Sequence, residues 1–303
     1  MIDYEPRRWW HILFQLRGSV LPGLLGRMAI AALAGVVAAW LFQHGGLRIA
    51  PITHTILGVA LGLLLVFRTN ASYDRYWEGR RLLGMIVNRS RDLARQLVAF
   101  VGGDGEAERA ARARAVRLLA ATYALVRQHL RHERDLSALG DLLTAEERAA
   151  LEPIACRPTH TVAWITRALV AAVAAGRLTE QRLQAMDLNL TSIVDSWGGC
   201  ERILRTPIPF AYAQHIKSFL ALFCVTVPFA MVEAMGWYTP LATAILTYAL
   251  IGIDEIGVEI EDPFGYDPND LPLERIGETI AGDTAALLNA ATPQLTAKSA
   301  SSA

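Results

Sequence analysis

Residues 49–84 read IAPITHTILGVALGLLLVFRTNASYDRYWEGRRLLG. From Ile49 to Phe67 the run carries no charge. Its length matches a helix crossing the hydrocarbon core of a bilayer, which needs about 17–25 mostly apolar residues. The chain then passes into Arg68-Thr69-Asn70 and a charged stretch with neither Pro nor Gly before Gly79. Nothing there stops a helix. The apolar span is therefore predicted to continue out of the membrane as one long helix.

Working outward, three more uncharged runs appear: 28–42 (MAIAALAGVVAAWLF), 218–232 (SFLALFCVTVPFAMV) and 234–253 (AMGWYTPLATAILTYALIGI). The runs at 28 and 218 are short for a span, and reach the required length if Arg27 or Lys217 snorkels to the interface. Four clustered runs exceed what the core of a soluble domain needs. A cleaved signal peptide is a poor reading, because the first run begins at Met28 behind a Trp- and Arg-containing segment. Four spans place both termini on one side. Arg7, Arg8, Arg17 and Arg27 precede the first span and Arg68, Arg75, Arg80 and Arg81 follow the second, whereas the short loops opposite hold Arg48 and Glu233. The bias of Lys and Arg predicts cytoplasmic termini and a cytoplasmic central region, in a cell inner membrane.

The division that follows is 1–27, a cytosolic N-terminal segment; 28–67, spans one and two; 68–206, a cytosolic helical region; 207–260, spans three and four; and 261–303, a cytosolic C-terminal segment whose last twenty or so residues, rich in Ala, Ser and Thr, are expected to be disordered. Within the central region Val116, Leu119, Tyr123, Val126 and Leu130 step by three and four, with Arg109, Arg112, Arg127 and Arg131 off the stripe. Leu183, Met186, Leu190, Ile193 and Trp197 repeat that stepping after Thr179, a predicted N-cap. Thr144 and Glu147 have the spacing of a capping box. Gly198-Gly199 is predicted to end or bend its helix, and Pro228 to kink the third span. No strand-like alternation of useful length occurs, so the fold class is all-α.

Composition narrows the function. The 303 residues carry a formal net charge of +0, so no basic excess favours nucleic acid. Cys156, Cys200 and Cys224 lack metal-ligand spacing and suggest no disulfide framework. His129, His132 and Glu133 superficially suggest a metal site, but no third ligand is near in sequence and their helix is studded with Arg. His54, inside a span, reads as hydrogen-bonded packing, with a proton relay or pore-mouth role as the alternative. No Ser/His/Asp arrangement, P-loop or dinucleotide-binding turn is present. No cofactor is expected.

Four segments resemble the bestrophin family. LGVALGLLLVFRTNASYDRYWEGRRLLG (57–84) is similar to the family's second span and its extension. GGCERILRTPIPFAY (198–212) matches the entry to the third span, EDPFG (261–265) with NDLPL (269–273) the segment after the fourth, and RGSVL (17–21) the start. They occur in the family's order and cover nearly the whole chain. The resemblance implies a homopentamer of four-span subunits set in membrane lipid, with one central pore lined by the second span that passes monovalent ions without enzymatic chemistry. Ring symmetry suits such a subunit, which alone encloses little space.

Val59, Leu63 and Phe67 match the three hydrophobic positions that form the neck of a bestrophin pore. Their spacing of four puts them on one stripe, drifting about 40° per step. In a five-fold ring each makes an apolar belt able to gate by dewetting. An aromatic edge favours anions, and Leu63 in the middle of the neck lacks one. Animal bestrophins pass chloride, whereas some bacterial relatives aliphatic at this position pass monovalent cations. A cation-leaning (sodium) pore is therefore expected, with an anion-selective one as the alternative. The cytosolic aperture of the family falls on Gln181, whose amide suits ions of either sign. Animal members bind calcium through a dense acidic run after the fourth span. Here Asp267 and Asp270 are all that remains beyond Glu261-Asp262, too few of the oxygen ligands calcium takes, so calcium activation is not expected. Asp254, Glu255 and Glu259 are expected to pair with cytoplasmic Arg side chains. A secondary transporter and a membrane metalloenzyme are the competing readings, and neither the paired broken helices of the first nor the ligand set of the second is visible.

Overall fold

The structure, a computed structural model, describes residue 2, residues 4–103 and residues 105–300, the side chains of 291–300 excepted. The helices in chain order are α1 Trp9–Leu13, α2 Leu21–Gly45, α3 Pro51–Phe100, α4 Glu106–Leu130, α5 Ala145–Leu151, α6 Arg157–Ala174, α7 Glu180–Arg205, α8 Phe210–Met235, α9 Thr239–Glu261 and α10 Leu273–Ala300. No strand occurs among the described residues. Contacts gather into two compact units, Met1–Trp77 with Thr206–Asp270, and Glu78–Arg205 with Leu271–Ala303. The predicted long helix is present: α3 has 50 residues, about 75 Å at 1.5 Å per residue.

In the first unit α2, α3, α8 and α9 run alternately up and down. Arg27, early in α2, pairs with Glu255, late in α9, at 2.7 Å. His54 Nε2, early in α3, lies 3.0 Å from Thr226 Oγ1, late in α8, and Tyr212, early in α8, donates to the Leu64 carbonyl at 3.4 Å. Arg48, just past α2, pairs with Glu233 near the end of α8. Leu61 and Leu65 of α3 pack on Ile216, Leu220, Phe223 and Val227 of α8 as a dry cluster. The outer faces are also apolar, with Ile30, Leu33, Leu222 and Leu241 exposed. α2, the apolar part of α3 and the stretch Phe210–Glu261 are long and apolar enough to cross a membrane.

The boundaries differ from expectation at two places. α2 begins at Leu21 rather than near residue 28, with Pro22 in its first turn and Arg27 inside it; Pro at that point costs no intrahelical hydrogen bond. The run at 234–253 is broken at its start: α8 ends at Met235, Gly236–Tyr238 form a 3-10 turn, and α9 starts at Thr239. Gly236 has φ 51 and ψ −125, a conformation closed to a side chain. α8 runs unbroken through Pro228.

In the second unit both predicted stripes are the core. Val116, Leu119, Tyr123, Val126 and Leu130 of α4 are buried, as are Met186, Leu190, Ile193 and Trp197 of α7, with Leu183 at the start of the second stripe half-buried. The Tyr123 hydroxyl donates to the Leu273 carbonyl of α10 at 3.0 Å. The capping box forms, Glu147 N–H donating to Thr144 Oγ1 at 3.2 Å and Thr144 N–H to Glu147 Oε2 at 3.0 Å. Thr179 caps α7 through the Arg182 N–H. Gly198-Gly199, however, does not end α7, which continues to Arg205. A Cβ on Gly199 would stand 2.8 Å from Leu82 Cδ1, so this glycine serves close helix packing rather than termination. Arg112, off the stripe, is nonetheless buried and donates to the carbonyls of Val101 and Gly103. α10 runs helical to Ala300, where irregular chain was expected from about residue 284; its run of Ala and Leu favours helix. The tail's residues 301–303 lie outside the described residues.

Candidate functional site

α3 has two unlike faces. Leu61, Leu65, Arg68 and Ser72 point into the first unit and are 0–2 % exposed. Half a turn round, Val59 is 71 %, Leu63 56 % and Phe67 57 % exposed, and Ile52 and Ile56 continue the stripe towards the helix start. The three predicted neck residues thus share one unpacked apolar face, while their helix is held by the other. Gln181 stands exposed in the first turn of α7, in the second unit.

The end of the first unit that carries Phe67 also holds a buried ion cluster. Arg68 is 1 % exposed. Its Nε lies 3.0 Å from Asp254 Oδ1 and its Nη2 3.7 Å from Glu261 Oε2, and Lys217 Nζ lies 3.3 Å from Asp254 Oδ2. Glu255 pairs with Arg27, as expected of this acidic group. Glu259 does not pair with Arg: it accepts from Asn269 Nδ2 at 3.0 Å, because the loop after α9 folds back and places an amide there. Counted by sequence, Arg68 was one more cytoplasmic charge after the span. Only the packing of α9 on α3 makes it a buried, compensated one.

That loop, Asp262 to Pro272, is tightly organised. Phe264 is fully buried, Asn269 Nδ2 also donates to the Gly18 carbonyl at 3.1 Å, and the Tyr76 hydroxyl donates to the Asn269 carbonyl at 3.2 Å. Asp267 N–H donates to Asp270 Oδ2 at 2.8 Å. Burial, with repulsion from Asp267, Asp262 and Glu259, pushes the Asp270 carboxyl up to about 6 against that hydrogen bond. Among the described residues no group of three or more His, Cys, Asp or Glu is arranged to hold a metal ion.

His129 and His54 are accounted for by local contacts. His129 Nε2 lies 3.2 Å from Glu201 Oε1, and its ring meets Trp197 edge-on with centroids 4.6 Å apart. Burial pushes its pKa below the usual histidine value, against the upward pull of Glu201. His54 is buried and sits on Thr226 and Phe223, the hydrogen-bonded packing read from its position.

Residues 1–286 match the family described as Bacterial/Fungal Bestrophin protein. The chain belongs to that family. This bestrophin is 43 % identical over 279 residues to the voltage-dependent anion channel-forming protein alr2987 of Nostoc sp., covering 90 % of each chain. It is 34 % identical to a protein of the same description from Ralstonia nicotianae, over 92 % of this chain and 95 % of that one. Among solved structures, a substituted form of a bacterial bestrophin homologue from Klebsiella pneumoniae superposes with a TM-score of 0.82 at 29 % identity, covering 88 % of this chain and 98 % of that one. The bestrophin membrane fold follows from these likenesses, and the resemblance to this family read from the sequence is correct.

Proposed function

We propose that this bestrophin is the subunit of a passive channel for monovalent ions, a homopentamer with four spans per subunit and both termini cytoplasmic in a cell inner membrane. Val59, Leu63 and Phe67 form its hydrophobic neck and Gln181 its cytosolic aperture; the chain performs no catalysis and needs no cofactor. The observation that carries this reading is the exposed apolar stripe of α3, set opposite a fully packed face of the same helix. A helix so held presents one side to whatever lies outside its own subunit, and five such sides enclose a narrow apolar path. The relatives' names and the family's channel-type membership support conduction rather than chemistry.

On selectivity, the aliphatic Leu63 favours a cation-leaning pore, since no aromatic edge faces a passing anion in the middle of the neck. The relatives' description as anion channel-forming proteins favours the second reading, an anion-selective channel. Reversal potential of the purified protein in a planar bilayer under asymmetric NaCl separates the two. A value near the sodium potential, moving towards chloride in Leu63→Phe, is the expected result. A value near the chloride potential keeps the channel and discards the cation lean. An intact oligomer without current removes the channel reading.

A further inference from the structure

The neck residues carry no charge, so the sign of the ion admitted depends on charges beside them. Two turns beyond Phe67 the same face of α3 carries Asp74, about 10 Å along the helix and turned only about 20° from Phe67. Asp74 and its neighbour on that face, Asn70, are exposed. Neither makes a hydrogen bond or ion pair within the chain, among the described residues. The cations adjacent in sequence behave differently. Arg68 turns to the packed side and is neutralised by Asp254 and Glu261. Arg75 also turns away, its Nε donating to the Glu261 carbonyl at 3.1 Å and its Nη1 to that of Thr206. An unpaired carboxylate on a surface is ordinarily just solvated. What distinguishes Asp74 is that the flanking cations Arg68 and Arg75 are engaged on the packed side, whereas this carboxylate is left on the unpacked stripe.

We propose that Asp74 is a charge-selecting residue, placing one carboxylate per subunit below the neck so that cations are concentrated there and anions repelled. The inference rests on the reading of the α3 stripe as pore lining. Next on the stripe come Glu78, which is paired with Arg202, and then Arg81, opposite in sign; the nearer of the two is about 16.5 Å along the helix from Phe67. That is more than two screening lengths at physiological salt, about 8 Å each, so Asp74 governs the potential at the neck.

The test is reversal potential and single-channel conductance in planar bilayers for Asp74→Asn, Asp74→Glu and Leu63→Ala. The aspartate has no partner to lose, and Asp74→Glu, which keeps the charge, is expected to keep the selectivity of the parent. Asp74→Asn is expected to lower the sodium-to-chloride permeability ratio by about three-fold or more at low salt. The difference is expected to shrink at about 1 M salt, where screening falls to about 3 Å. An unchanged ratio in Asp74→Asn, with Leu63→Ala altering conductance, overturns the role of Asp74 and leaves the pore assignment standing. If Leu63→Ala leaves conductance unchanged too, the α3 stripe is not the pore lining, and both readings fall together.

Discussion

The two units bury the same kinds of residue and expose opposite kinds. In the second unit α4 hides Leu119, Tyr123 and Val126 and turns Arg109, Arg117 and Glu108 outward or half outward. In the first, α2, α8 and α9 hide Leu24, Leu220 and Thr243 and turn out Ile30, Leu33, Leu222, Leu241 and Ile245. The second pattern is a helix solved for water. The first is a helix solved for lipid, where apolar residues suit both sides and the inside is distinguished by small or polar groups and close packing. α3 contains both patterns in succession, and its apolar outer stripe at Val59, Leu63 and Phe67 belongs to the first. Whether a given outward residue meets lipid, a neighbouring subunit or an ion path is what function adds to that comparison.

The contrast is broken most severely at the buried cluster. Asp254→Ala leaves Arg68 without its nearest counter-charge in a dry site, a loss of about 3–5 kcal/mol. Arg27→Ala, which opens the half-exposed pair with Glu255, should cost under about 1 kcal/mol. Thermal unfolding of the two detergent-solubilised variants checks this; equal loss would mean that Arg68 is not sealed from solvent.

A middle-sized effect compares the two faces of α3 directly. Leu65→Ala removes a fully packed side chain and should cost about 2 kcal/mol or more, with conductance per folded channel nearly unchanged. Leu63→Ala, two residues away on the exposed face, should leave the unfolding temperature close to the parent and change conductance. Measuring both properties on both variants would show whether stability and conduction are divided between the faces.

The smallest effect is electrostatic. The Asp270 carboxyl, raised from 3.8 to about 6 by burial and by its acidic neighbours, binds its proton more tightly folded than unfolded. The folded state is therefore relatively favoured at low pH, and that contribution is lost as pH rises from about 4 through about 6. Asp270→Asn keeps an acceptor for the Asp267 N–H and removes the charge. It should raise the unfolding temperature at pH 8 by a few degrees at most, about the size expected for 1 kcal/mol in a chain this long, with the gap narrowing at pH 5 and closing below about pH 4.

Much of this was legible along the chain. The long α3, the stripes of α4 and α7, the Thr144–Glu147 box and the common face of the neck residues follow from spacing of three and four, a property of one helix alone. Gly198-Gly199 misled because a glycine pair looks the same whether it ends a helix or admits a neighbour. Only Leu82, more than a hundred positions earlier, decides between them. Glu259 finding Asn269 instead of an arginine depends likewise on how a loop returns.

The sequence by itself determined the long α3 and the amphipathic α4 and α7, which segments are apolar enough for a bilayer, and that Val59, Leu63 and Phe67 share a face, because helical period and hydropathy are local quantities. Tertiary structure decided which charges count. Arg68 and Asp74 stand six positions apart on one helix and look alike as charges flanking a span. One is buried against Asp254 on α9, and the other is left unpaired on the open stripe. The free energy of a charge depends on its surroundings, and those are supplied by residues far away in the chain.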